Sequence, residues 1–277
     1  MSNQQLPSFT PSERRILAKA FWTDRLGEQQ AQAVIYGLTP PPEKLTDEWD
    51  DFCRRVESGE PYQYVLGYVS FANCRIDVNP HVLIPRPETE ELVYETSKRM
   101  DAYGCFLDVG TGSGAIAIGL KKMQPEWKAF GCDISKGALA TAEKNAKQNK
   151  FQVDFFTCDI RQPKTNPHPS LDLLISNPPY IPQAKEKDLD KTVLDFEPHL
   201  ALFTPDEKPL LYYEHIIDYG IKHLNENGLL ALETHFDGAQ NIADLLANHN
   251  FTDIEIIKDL YQHERFVFAR KRCQAGN

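Results

Sequence analysis

Closely spaced cysteines are missing from this sequence. Its six cysteines stand at least twenty residues apart and form no Cys-x-x-Cys pair. That removes the ligand spacing of a structural zinc site and the framework of a disulfide-stapled domain. Cys105, Cys132 and Cys158 fall inside apolar runs that read as strands, so they are expected as small core residues in a reducing cytoplasm. Long apolar runs are lacking too. Ala115 to Leu120 and Leu171 to Ile175 fall far below the ~18 residues of a membrane-spanning helix. The opening MSNQQLPSFTPSERR has no apolar signal core, from which a cytoplasmic location is expected. An excess of positive charge is also absent. Thirty Lys and Arg face 40 Asp and Glu, a net charge of −10, which argues against coating nucleic acid with a broad basic surface. The eight histidines show no HExxH spacing, so no metal is expected.

With 41% hydrophobic and 10% aromatic residues the chain can build a core. At about 150 residues per domain, 277 residues suggest two domains. Ser12 to Phe21, Glu28 to Leu38 and Asp47 to Glu57 carry apolar residues at helical spacing, separated by Gly27 and by Thr39-Pro40-Pro41-Pro42. They predict a small helical domain over residues 1–70. Phe71 to Val78 and Val82 to Ile84 flank Asn79-Pro80-His81 and predict a hairpin linker within 71–88. From residue 89 to 277, strand-like and helix-like segments alternate: strands over Cys105–Val109, Lys128–Asp133, Asp154–Cys158, Leu171–Ser176 and Gly228–Thr234, with helices between them. This predicts a doubly wound α/β domain on a parallel sheet. The final segments, Ile254–Ile257 and Arg265–Ala269, leave no room for a crossover helix, so they are expected to pair antiparallel at one edge.

Asp108-Val109-Gly110-Thr111-Gly112-Ser113-Gly114 ends the first strand of that domain and opens a helix. Glycines there permit a tight turn and close approach of a ligand to the backbone, and the helix N-terminus offers free N–H groups. Asp133 ends the next strand, where a carboxylate can accept both ribose hydroxyls. Asp159 closes the third, in reach of an adenine amino group. The turn satisfies G-x-G-x-x-A and by itself leaves NAD and other adenosine ligands open, while a phosphate-binding Gly-Lys-Ser/Thr is excluded.

Asn177-Pro178-Pro179-Tyr180 follows the fourth strand, on the same rim. Two prolines fix φ and remove two donors, leaving a rigid turn with free carbonyls. An Asn oxygen and a neighbouring proline carbonyl can hold both hydrogens of one planar NH₂ group, and a tyrosine ring can stack on it. This suits a nitrogen whose lone pair is delocalised and must be aimed at an electrophile. Such pre-organisation can supply roughly 7–11 kcal/mol.

The glycine turn, Asp133 and the Asn-Pro-Pro-Tyr tetrad together resemble S-adenosylmethionine-dependent methyltransferases acting on amino or amide nitrogens. Adenine-N6 DNA methyltransferases and protein glutamine-N5 methyltransferases share the tetrad. Gly59-Glu60-Pro61-Tyr62-Gln63-Tyr64-Val65-Leu66-Gly67, then Leu83-Ile84-Pro85-Arg86-Pro87-Glu88-Thr89-Glu90, then Glu197-Pro198, is similar to the second branch, the release factor glutamine methyltransferase family. The resemblance runs from about residue 50 to 235. It implies a Rossmann-like, seven-stranded class I methyltransferase domain, with the small N-terminal helical domain joined by a β-hairpin and gripping the substrate. The implied reaction transfers a methyl group from S-adenosyl-L-methionine to the glutamine amide in the Gly-Gly-Gln motif of peptide-chain release factors. Gly110, Thr111, Gly112, Ser113, Gly114, Asp133, Asp159, Ile160 and Asn177 would line the cofactor. Asn177 and the Pro178 carbonyl would hold the amide, with Pro179 and Tyr180 beside it. Transfer would be direct and in line, without a covalent enzyme intermediate.

Two segments depart from the family pattern. His235 follows Glu233-Thr234 where Glu-x-Gly is common, and Tyr261 stands in Asp259-Leu260-Tyr261 where Asp-x-Gly is frequent. Arg86 and Glu88 read either as a lid or a contact to the cofactor, or as a salt-bridged interdomain turn. Glu233 reads as structural rather than as a base. A ribosomal-protein glutamine is an alternative substrate. Adenine in DNA is disfavoured by the chain's length and negative charge, which leave little room for a recognition domain and a basic face.

Overall fold

The computed structural model describes residues 6–164 and 167–273. The chain forms two compact units. The first comprises residues 6–68 with Asp190–Phe196, and the second Val69–Leu189 with residues 197–273.

The first unit is helical: α1 (Pro11–Leu26), α2 (Glu28–Ile35), α3 (Thr46–Glu57) and α4 (Tyr62–Leu66). Thr10 starts α1 through a reciprocal capping box. The Thr10 N–H donates to Glu13 at 2.7 Å and the Glu13 N–H to the Thr10 hydroxyl at 3.3 Å. Gly27, at φ 76°, ends α1 and opens α2. Phe21, Trp22, Trp49 and Phe52 build the core, the Phe21 ring lying 4.9 Å from Trp22 and 5.1 Å from Trp49. α4 has no counterpart in the sequence reading, because five residues between Pro61 and Gly67 are too few to show a helical period.

The expected hairpin exists but is displaced. Its strands are β1 (Tyr68–Phe71) and β2 (Cys74–Asp77), not Phe71–Val78 and Val82–Ile84. Ala72 and Asn73 both take positive φ, 47° and 54°, the backbone of a two-residue hairpin turn whose usual signature is Asn-Gly. The Asn79-Pro80-His81 segment turns instead on its own asparagine, which accepts the His81 N–H at 2.9 Å and donates to Thr141 at 2.9 Å.

In the second unit, α5 (Pro87–Ser97) precedes β3 (Cys105–Val109), α6 (Ala115–Met123), β4 (Lys128–Asp133), α7 (Lys136–Asn149), β5 (Asp154–Thr157) and β6 (Leu171–Ser176). Two short strands, β7 (Ile181–Pro182) and β8 (Phe203–Thr204), pair with each other. The helix α8 (Lys191–Phe196) belongs to the first unit, and the sequence reading has no element there. Then come α9 (Leu211–His223), β9 (Leu224–Glu233), α10 (Ala239–Ala247), β10 (Phe251–Lys258) and β11 (Glu264–Lys271). The seven-stranded sheet runs β10-β11-β9-β6-β3-β4-β5. Strands β9, β6, β3, β4 and β5 are parallel, and β11 is antiparallel to both β9 and β10.

Side chains of the central strands alternate between two cores. Phe106, Leu229 and Ala231 pack with Leu92, Ile116 and Leu120, the face covered by α5 and α6. Leu107, Leu230 and Leu232 pack with Ile216, Ile217 and Ile242, the face covered by α9 and α10. The five described cysteines up to residue 158 are buried and free, and Cys273 is exposed. The strand order reverses between β3, which continues toward β4, and β6, which continues toward β9. Such a reversal opens a crevice at the carboxyl ends of the strands.

Candidate active site

The crevice holds a cleft of about 920 Å³, counting space open to solvent. Its floor is the glycine turn. Gly110 and Gly112 take φ of 71° and 54°, a region costly for any residue with a Cβ. The Gly110 and Thr111 N–H groups both donate to the Cys132 carbonyl at 2.9 Å, locking the turn onto β4. Asp108 sits fully buried beneath. One carboxylate oxygen accepts from the Thr111 hydroxyl at 2.6 Å and from the Ala117 N–H at 3.3 Å, while the other has no partner. Burial pushes its pKa up to about 7, against the pull of Thr111 and Ala117.

Asp133 ends β4 at the cleft. Its two oxygens accept the Gly112 and Ser135 N–H groups, each at 2.9 Å, so it ties the turn to the start of α7. Burial raises its pKa while these N–H groups hold it down. A carboxylate has about four acceptor positions, so capacity remains for a ligand hydroxyl. Asp159 also lines the cleft, but Arg161 grips both its oxygens, at 2.9 and 2.8 Å, and holds its carboxyl below the usual range. Ile134, Ala138 and Ile160 supply apolar wall.

Asn177, Pro178 and Pro179 line the same cleft. Ser176, just before them, donates to the Val109 carbonyl at 2.7 Å, joining the ends of β6 and β3. The Asn177 NH₂ donates to the Thr89 hydroxyl at 3.0 Å, and that hydroxyl donates to Glu233 at 2.7 Å. Glu233 is 1% exposed. Burial lifts its pKa to about 7, opposed by Thr89 and Arg265. The Tyr213 hydroxyl donates to the Glu233 carbonyl at 3.0 Å. Tyr180 is half-buried against the α9 core, and burial raises its pKa.

The structure therefore gathers Gly110, Gly112, Asp133, Asp159, Ile160, Asn177, Pro178 and Pro179 on one cleft. Thr111, Ser113 and Gly114 stand behind it. The Thr111 side chain turns inward to Asp108, the Ser113 carbonyl accepts from Asn145 at 2.9 Å, and Gly114 precedes α6 packed near Ala142. These three shape the turn from below. Arg86 forms an ion pair with Glu197 at 2.5 Å, and the Ile84 N–H donates to the same carboxylate at 3.1 Å. Arg86 is thus salt-bridged at this turn, to Glu197 of the same unit. The sequence reading assigned no part to Thr89 or to the cleft residues Leu83, Leu200 and Tyr212. Pro87 was the available signal for Thr89. Proline favours the first position of a helix, so α5 begins at Pro87, ahead of its first apolar residue Leu92, and has Thr89 in its first turn.

At the two departures, His235 lies beside the tetrad tyrosine, and Tyr261 is exposed next to a tightly held Asp259. Asp259 accepts the Tyr261 and His263 N–H groups at 2.9 Å and Arg265 at 3.2 Å. Among the described residues, no group of three or more His, Cys, Asp or Glu is placed to hold a metal ion.

The residues present fit an adenosine sulfonium ligand. Asp133 offers acceptors for a diol, the aliphatic wall suits a purine, and the glycine turn leaves backbone space at φ values other residues avoid. The family described as "Methyltransferase small domain" matches residues 71–195. A Bacteroides thetaiotaomicron protein named release factor glutamine methyltransferase is 38% identical over 81% of this chain and 81% of its own length. A protein of the same name from Staphylococcus aureus is 37% identical over 84% of each chain. Among solved structures, a methyltransferase from Pyrococcus furiosus superposes with a TM-score of 0.54, covering 72% of this chain and 90% of that one at 15% identity, a likeness of fold.

Proposed function

This chain belongs to the release factor glutamine methyltransferase family, and on that footing we propose that its Asn177-Pro178-Pro179-Tyr180 tetrad holds the side-chain amide of a glutamine for methylation at N5. The carrying observation is that Asn177, Pro178 and Pro179 of the tetrad line the same cleft as Asp133 and the glycine turn, with Tyr180 packed beside them against the α9 core. The enzyme is an S-adenosylmethionine-dependent methyltransferase acting on a glutamine of release factors, and in our reading that glutamine is the one of their Gly-Gly-Gln motif.

When bound, S-adenosylmethionine supplies a methyl group made electrophilic by its sulfonium. Asp133 would hold the ribose hydroxyls, Ile160 the base, and the backbone at Gly110 and Gly112 the remaining chain. Asn177 and the Pro178 carbonyl accept one N–H each from the glutamine amide. Both hydrogens are then directed away from the methyl, so the nitrogen lone pair faces it. Tyr180 packs on the amide plane. As nitrogen becomes pyramidal and cationic, the same carbonyls bind its hydrogens more strongly, an interaction that favours the transition state over the ground state. The added positive charge is lost as a proton to solvent. The helical first unit would grip the release factor away from its Gly-Gly-Gln motif. The negative net charge fits a protein substrate better than DNA. No described helix is long and apolar enough to cross a membrane. A release-factor substrate would place the reaction in the cytoplasm.

The test is mass spectrometry of a purified release factor incubated with this protein and S-adenosylmethionine. The expected result is one added methyl on the Gly-Gly-Gln glutamine. An unmodified glutamine, with cofactor binding verified by calorimetry, overturns the assignment and directs the search to ribosomal proteins.

A further inference from the structure

A primary amide has a donor end and an acceptor end, and the tetrad works only if Asn177 turns its acceptor to the substrate. Nothing in the tetrad itself enforces that choice. The enforcement comes from two residues far away in sequence. A hydroxyl has one hydrogen, and an ionised carboxylate only accepts. The Thr89 hydrogen lies on Glu233 at 2.7 Å, so at 3.0 Å the Thr89 oxygen can only accept, and the Asn177 nitrogen must be the atom facing it. The amide oxygen is left on the side away from Thr89, on a residue that lines the cleft. Turning the amide over would set two oxygens against each other with no hydrogen between them.

We propose that Thr89 and Glu233 are positioning residues for methyl transfer, which hold the Asn177 amide with its oxygen toward the substrate and do so only while Glu233 is ionised. The inference rests on the reading of Asn177 as the residue that holds the substrate amide. Protonation reverses the chain: a neutral Glu233 donates to Thr89, the hydroxyl hydrogen turns to Asn177, and the amide presents its NH₂ to the NH₂ of the substrate. Donor then meets donor. The groups that bear on Glu233 come from every neighbouring element. Arg265 of β11 and Arg86 before α5 favour the charge, and Glu88 in the first turn of α5 opposes it. Tyr180 after β6 and Tyr213 of α9 stand close enough for their own ionisation to feel it. Burial opposes the charge most and lifts the carboxyl to about 7, so the reversal falls near neutral pH.

The experiment uses the full chain with a release factor and S-adenosylmethionine. Thr89→Val keeps the shape and removes the hydroxyl, while Thr89→Ser keeps the hydroxyl. Thr89→Val is expected to lower kcat roughly 10- to 100-fold with cofactor Kd and substrate KM little changed, and Thr89→Ser to restore most of it. In the wild type kcat falls on the acid side as Glu233 is protonated, and in Glu233→Gln that limb disappears. The ¹⁵N side-chain amide signal of Asn177, assigned with Asn177→Ala, reads the chain without any substrate. It should shift with the same midpoint in the wild type and stay fixed in Glu233→Gln. An Asn177 signal indifferent to pH, or Thr89→Val turning over like the wild type, overturns the proposal. A wild type that leaves the glutamine unmodified instead refutes the substrate reading, and the Asn177 signal still decides this one.

Discussion

The ring of Tyr180 lies 6.0 Å from the imidazole of His235, tilted by 58° to it. His235 in turn lies 4.3 Å from Phe236, and Phe236 lies 5.6 Å from His263. Rings therefore continue outward from the tetrad, and Phe236 is half exposed at 50%. His235 occupies the place where the family pattern has glycine, so a side chain here backs Tyr180 where the pattern has none.

On the proposed reading Tyr180 contributes through its ring, packed on the substrate amide. Its hydroxyl ionises only with difficulty, because burial raises its pKa, and direct transfer gives a phenolate nothing to do. Tyr180→Phe is expected to keep kcat within about threefold, whereas Tyr180→Ala should lose about tenfold or more. Steady-state kinetics of the two variants decide the point. Equal losses would give the hydroxyl a part that the packing does not.

Asp133 is expected to matter for binding before it matters for rate. Its carboxylate joins Gly112 and Ser135 and has lone pairs left for a diol. A hydrogen bond to a charged group contributes about 1.5–3 kcal/mol. Asp133→Ala should thus weaken S-adenosylmethionine by about tenfold or more, measured by calorimetry. An unaltered isotherm would remove Asp133 from the ribose.

Glu197 holds the segment ahead of α5 in place. It is 4% exposed and receives both the Ile84 N–H and the Arg86 guanidinium. Glu197→Ala leaves both donors without their partner, and breaking a buried pair costs about 3–5 kcal/mol. Arg86 is itself a third exposed and can rehydrate, so a loss of about 2–3 kcal/mol in denaturant unfolding is expected. A change below about 0.5 kcal/mol, the level of an ordinary surface substitution, would show that the pair is screened.

The parts of this molecule that were legible in sequence are those encoded locally. The strands at Cys105, Lys128 and Leu171, the glycine turn and the tetrad each lie within a dozen residues, and periodicity or backbone chemistry marks them. The hairpin lies earlier in the chain than its sequence predicts because Ala72-Asn73 turns without the glycine that usually announces such a turn. The insertion of β11 between β9 and β10 is not encoded locally, and the sequence predicts only its antiparallel pairing with β10, since sheet order is decided by packing. Thr89 went unassigned for a plainer reason. It lies 88 residues from Asn177 and 144 from Glu233, and a threonine near a helix start has an ordinary use as a cap or first-turn residue.

Asp108 and Glu233 carry a cost in stability that depends on pH. Unfolded, their carboxyls titrate near 4; folded, burial raises both to about 7. Between those values the native state binds more protons than the unfolded chain, so these two groups make stability fall as pH rises from about 4 to 7. His168 and His223 act with the opposite sign. Burial lowers their pKa, so the unfolded chain binds more protons and stability rises with pH until they are neutral in both states. The total slope mixes the two, and the difference between variants separates them. Asp108→Asn abolishes one falling contribution, and its stability should decline less than the wild type between about pH 5 and 7.5. Denaturant unfolding at several pH values measures this. Parallel curves for wild type and variant would mean that the buried Asp108 carboxyl titrates near its unfolded value. Glu233→Gln should flatten the curve in the same way while removing the acid limb of activity. In Glu233, then, the charge that orders the site is the one that weakens the fold.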